Sequence, residues 1–113
     1  MILAAGDGST NRSYVSFKDN DTLQSANIVS GLVRDTIETS AVLRDAGIGW
    51  YHLVVSIDTT QSTAADRVKI YVNGELQSDS GTNPSQNDDS FINSTEQHNI
   101  GQTRNNSEYF DVL

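Results

Sequence analysis

The chain has 113 residues, with seven Lys and Arg against fifteen Asp and Glu, a net charge of −8 and no cysteine. That length fits one domain with one core; an acidic balance without a basic cluster argues against nucleic-acid binding; the lack of cysteine excludes a disulfide framework or a thiolate metal site. No apolar run approaches the roughly 18 residues of a membrane span, so no membrane insertion is expected.

The composition is rich in Asn, Ser, Thr, Asp and Gly with a single proline, which suits strands joined by polar turns. Residues 1–5 read as an apolar strand that breaks at Gly6-Asp7-Gly8-Ser9. Residues 12–18 alternate, placing Val15 and Phe17 inward and Tyr14, Ser16 and Lys18 outward, and Asp19-Asn20-Asp21 is their turn. Residues 23–29 alternate weakly, Gly31 separates them from a better strand at 32–37, and a short strand is predicted at 41–44.

The most regular stretch is 50–77. Tyr51, Leu53, Val55 and Ile57, then Val68, Ile70 and Val72, fall on a dry face, and His52, Ser56, Asp58, Arg67, Lys69, Tyr71 and Asn73 on a wet one. Asn73-Gly74 reads as a two-residue hairpin turn, and the threonine-rich loop 58–66 as a surface excursion. Trp50, at a strand start, reads as a core plug. Such a hairpin is marginal alone, so a second sheet must cover its dry side. Residues 78–89, almost wholly polar, are predicted as a long surface loop, followed by short strands at 91–92 and 98–101 and another beginning at 108. The expectation is an all-β protein, an antiparallel two-sheet sandwich.

An ordered series of blocks carries a family resemblance. Ala41-Val42-Leu43-Arg44-Asp45 with Gly49-Trp50-Tyr51-His52-Leu53-Val54-Val55, then Asp66-Arg67-Val68-Lys69-Ile70-Tyr71-Val72-Asn73-Gly74, resembles the laminin-G-like, concanavalin A-type jelly rolls of bacteriophage and marine-virus structural proteins. Pro84-Ser85-Gln86-Asn87, Ile92-Asn93-Ser94-Thr95, His98-Asn99-Ile100-Gly101-Gln102 and Tyr109-Phe110-Asp111 continue it in order. The resemblance implies one jelly-roll domain over 1–113, lacking the N-terminal strands and the last C-terminal strand that members carry. The apolar patterns at both ends independently suggest truncation, or sheets completed by a partner strand or a second copy.

The resemblance also implies a virion location, with an extracellular one as the alternative, and a non-enzymatic structural or adhesion role with other virion proteins and cell-surface glycans as partners. A carbohydrate-binding module of a secreted enzyme and a glycosidase of the same fold are the alternatives. Laminarinase-like relatives carry Glu-x-Asp-x-x-Glu on one strand, a string this chain lacks, and Asp19, Asp21, Asp88 and Asp89 read as solvated turn carboxylates. Ser56, His52 and Asp58 share a strand face, yet such side chains point in parallel rather than converging.

For glycan binding, Tyr14, His52, Tyr71 and Asn73 are the candidates, as polar and aromatic groups on wet faces. No cofactor is expected. Calcium is the alternative, since Asp7, Asp19, Asp21, Asp88 and Asp89 offer hard oxygen ligands without forming a recognised loop. The Asn-x-Ser/Thr sequons at Asn11, Asn20, Asn93 and Asn105 read as turns.

Overall fold

A computed structural model of the protein describes residues 1–43 and 50–104. In chain order the strands are β1 (Leu3–Gly6), β2 (Arg12–Phe17), β3 (Leu23–Val29), β4 (Leu32–Thr39), β5 (Leu53–Ile57), β6 (Val68–Val72), β7 (Glu75–Leu76), β8 (Asp79–Thr82) and β9 (His98–Ile100). They form a six-stranded sheet in the order β8-β4-β3-β2-β1-β9 and a three-stranded sheet in the order β5-β6-β7, with antiparallel pairing throughout.

The sidedness of the β5–β6 hairpin follows its alternation. Leu53 pairs with Val72, Val55 with Ile70 and Ile57 with Val68, so every inward residue of one strand meets an inward residue of the other. Val68 and Ile70 press on Val15, Leu23 and Ile37 of the larger sheet, and Leu53, Val55, Phe17, Leu43 and Ile2 pack around that cluster. Asn73 and Gly74 both have positive φ, 51° and 83°, as a type I′ turn requires. Ser30 and Gly31 repeat that geometry between β3 and β4, fastened by Gly31 N–H to the Thr10 carbonyl and Ser30 N–H to Asn11 Oδ1.

Four expectations are corrected. Asp79–Thr82, inside the predicted loop, is the edge strand β8 paired to β4. All four of its residues are exposed, so it has no buried face to impose an alternating pattern. Phe91–Asn93 is a 3-10 turn rather than a strand, since a strand at 91–92 would need a ladder partner and the segment instead caps the end of β1 and β2. Residues 41–43 form no strand; the Leu43 N–H donates to the Asp21 carbonyl, and its partly buried side chain packs against the core from a loop. Trp50 is 88% exposed, because β5 begins only at Leu53 and Trp50 falls outside the paired region. The rest of the predicted strand 41–44 and the strand from 108 lie outside the described residues.

Candidate functional site

Residues in register across a sheet share a face. Opposite the core, the outer face of the six-stranded sheet therefore carries Ala4 of β1, Tyr14 and Ser16 of β2, Gln24 and Ala26 of β3, and Thr36 and Glu38 of β4. Tyr14 is flanked in register by Ala4 and Ala26, both 4% exposed. Its hydroxyl donates to Gln24 Oε1 at 3.3 Å, and Gln24 Nε2 donates to Thr36 Oγ1 at 2.9 Å. A ladder of aromatic, amide and hydroxyl groups thus crosses β2, β3 and β4, continued on β8 by Thr82 opposite Thr36. The Arg12 guanidinium lies 5.3 Å from the Tyr14 ring centroid, within cation–π range.

Glu38 closes one end of this face. Its carboxylate accepts from Thr22 Oγ1, from Lys18 Nζ at 2.9 Å and from Asn20 Nδ2 at 3.1 Å. Those bonds, Thr22 first, hold its pKa down to about 2. A depressed carboxylate contributes stability above the ordinary carboxylate range and loses it as pH falls through the folded value. Glu38→Gln is therefore expected to cost about 1 kcal/mol at pH 7. The gap from wild type should close as pH approaches 2 in urea unfolding followed by circular dichroism.

The other three predicted ligand residues lie on the opposite side of the sandwich. Tyr71 alternates with the core residues Ile70 and Val72, so it faces outward from the three-stranded sheet, in register with Val54 and Leu76. Asn73 sits in the hairpin turn, where its Oδ1 accepts from the His52 N–H at 2.9 Å and its own N–H donates to the His52 carbonyl at 2.8 Å. These groups hold the turn to the start of β5. Tyr14 is thus apart from His52, Tyr71 and Asn73. The partners it does have, Gln24, Thr36 and Arg12, become visible in the sequence only once the β2–β3–β4 register is known.

Two of the carboxylates weighed for catalysis or calcium, Asp58 and Asp7, are engaged in their own turns. Asp58 accepts from Thr60 and Gln61, which lower its pKa. Asp7 closes its own turn by accepting from the N–H groups of Ser9, Thr10 and Asn11, which hold its carboxyl far below the usual range. Among the described residues no group of three or more acidic, histidine or cysteine side chains converges.

Among the described residues, two cavities lie between the sheets. The larger, about 590 Å³, is lined by Leu3, Val15, Leu53, Val55 and Ile57, with Asp88 and Asp89 at its border. The smaller is bordered by the inward polar residues Ser13, Asn27 and Asp35. Burial pushes the Asp35 carboxyl up, Asp88 adds to that, and Asn27 and Arg34 oppose it.

Neither a curated protein nor a solved structure matches the chain. The family model for the concanavalin A-like lectin/glucanases superfamily matches residues 1–113. Two facing antiparallel sheets and that full-length match agree, and the chain belongs to the concanavalin A-like lectin/glucanases superfamily.

Proposed function

We propose that the protein is a non-enzymatic carbohydrate-binding adhesion domain whose sugar surface is the outer face of the six-stranded sheet around Tyr14. One observation carries the reading: an aromatic ring set between two alanines and continued by the Gln24–Thr36 amide–hydroxyl pair. A pyranose offers an apolar face and a rim of hydroxyls, and that surface offers a ring and a rim of neutral donors and acceptors.

Hydrolysis fits this face poorly. A glycosidase needs one protonated and one ionised carboxyl flanking the bond, and Glu38 is the acidic residue of β2, β3 and β4 on this face among the described residues. Its bonds hold it at about 2, the wrong direction for a general acid working near neutral pH. The Asp35 carboxyl is shifted upward but points between the sheets.

Placement of the domain in a virion, on a tail appendage or capsid surface, rests on the order of the sequence blocks and not on this face. The test is a glycan array followed by titration of the best sugar. Tyr14→Ala is expected to weaken binding about tenfold or more with the fold unchanged, whereas Tyr71→Ala should leave it intact. Equal binding by wild type and Tyr14→Ala, or loss only in Tyr71→Ala, would move the site off this sheet. Reducing sugar released from β-glucan by the purified protein would end the non-enzymatic reading.

A further inference from the structure

Asp58 N–H donates to the Arg67 carbonyl and Asn73 N–H to the His52 carbonyl, and bonded pairs alternate along an antiparallel ladder. His52, Val54, Ser56 and Asp58 therefore bond toward β6, whereas Leu53, Val55 and Ile57 direct their N–H and C=O groups the other way, where no described strand lies. Exposed edges are normally blunted by Lys, Pro, a bulge or a very short strand. β5 reads Leu-Val-Val-Ser-Ile over five residues in unbroken register, with none of these. The edge strand β8, by contrast, is Asp-Ser-Gly-Thr.

The same side of β5 opens on the larger cavity. Leu53, Val55 and Ile57 border it from one sheet and Leu3 and Val15 from the other, around about 590 Å³, and Ile57, an inward position, is still 37% exposed. Three apolar side chains and a row of backbone donors and acceptors thus meet at one opening, the combination that strand addition uses. The larger sheet decides what fits there. Leu3 belongs to β1, and β9 lies beyond β1, so that sheet continues beneath the free edge. A second copy paired edge to edge about a two-fold axis would push its own β1 and β9 into the same space. One extended strand enters without that conflict.

Charge sets the polarity of the guest. Asp88 and Asp89 border the cavity, and the Asn87 N–H bonded to the Thr59 carbonyl places them at the Ile57 end of β5. Asp88 already meets Arg34; Asp89 is exposed and has no ion pair among the described residues. We propose that the free edge of β5 binds an extended segment of a partner protein as an added antiparallel strand, with alternate aliphatic side chains in the cavity and a Lys or Arg against Asp88 and Asp89. Its residues opposite Ile57, Val55 and Leu53 are aliphatic, and the one opposite Thr59, nearest its N-terminus, is basic. This site lies on the sheet opposite Tyr14 and does not depend on sugar binding.

The probe is the capped peptide Lys-Thr-Ile-Ser-Val-Thr-Leu carrying a fluorophore, titrated with the protein and followed by anisotropy. One saturable site per chain is expected, and amide hydrogen exchange at Leu53, Val55 and Ile57 should slow on saturation. Val55→Pro removes the central donor of the free side while leaving the β5–β6 bonds in place, and should weaken binding about tenfold or more. Asp89→Lys, in an exposed loop, should weaken it about fivefold, and a peptide with Glu in place of Lys should recover that loss, a reversal that misfolding cannot mimic. No saturable binding up to about 1 mM protein, binding unchanged in a folded Val55→Pro variant, or no charge reversal would overturn the proposal. Slow exchange of those three amides in the protein alone would also overturn it: the edge would then be covered by this chain's own residues or, where the slowing depends on concentration, by a second copy.

Discussion

Ile70→Asp is expected to leave no folded domain. Ile70 is 0% exposed at the centre of the cluster where the two sheets meet, and its cross-strand partner Val55 offers no hydrogen-bonding group. A carboxylate there has neither water nor a donor, and the several kcal/mol that costs is comparable with the whole stability of a domain this size, about 5–15 kcal/mol. The milder Ile70→Ala separates polarity from volume. It is expected to remain folded while losing about 2–5 kcal/mol, measured as a shift of the urea midpoint at constant slope. Val55→Asp tests the asymmetry of the core, because Val55 is half-buried and borders the 590 Å³ cleft. Its carboxylate can turn toward that opening, so a smaller loss of about 1–3 kcal/mol is expected. If Val55→Asp and Ile70→Asp unfold alike, the cleft does not admit water.

The difference between those residues also separates what the sequence conveyed from what it did not. Alternation at 53–57 and 68–72 gave the sidedness of both strands; β6 buries Val68, Ile70 and Val72, the arrangement in which a two-residue period is strongest, whereas on β5 Leu53 and Val55 are only half-buried and Ile57 is 37% exposed. It was silent about β8, whose four residues are all exposed. It misplaced Phe91 and Ile92, where two adjacent apolar residues fit a 3-10 turn as well as a strand. It also hid the polar interior at Ser13, Asn27 and Asp35, since an inward Asn or Asp looks like an outward one until the register is known. The candidate sugar surface was legible to the same extent. Tyr14 could be assigned to a wet face from its own strand, whereas its link to Gln24 and Thr36 depends on pairing across three strands. Tyr71, Asn73 and His52 met the same compositional criterion but belong to the other sheet, and two of them serve the hairpin turn.

Gly6→Ala is expected to rival the core substitutions, although it adds one methyl group. Gly6 ends β1 at φ 129°, a backbone conformation that side-chain-bearing residues rarely adopt, and a Cβ there would lie 2.0 Å from the Asn11 carbonyl oxygen and 2.7 Å from the Arg12 Cα. Gly81 in β8 shows the same conflict, at φ 130° with a Cβ 1.9 Å from the Thr36 oxygen. What differs is the freedom to yield. Among the described strands β8 is at the edge, bonded to β4 alone, and it can move outward at the cost of a few ladder bonds. β1 is held between β2 and β9; Gly6 pairs in register with Arg12, donates to the Gln97 carbonyl and precedes a turn that Asp7 fixes with three backbone bonds. Movement of Gly6 would disturb all of these together. Gly6→Ala is therefore expected to lose about 3 kcal/mol or more and Gly81→Ala about 1–2 kcal/mol, compared by urea unfolding under one set of conditions. Amide hydrogen exchange gives the independent check: the Gly81 variant should lose protection only along β8 and its β4 partners, and the Gly6 variant across β1, β2 and β9. Equal losses in both variants would mean that β8 is held as firmly as the interior strands.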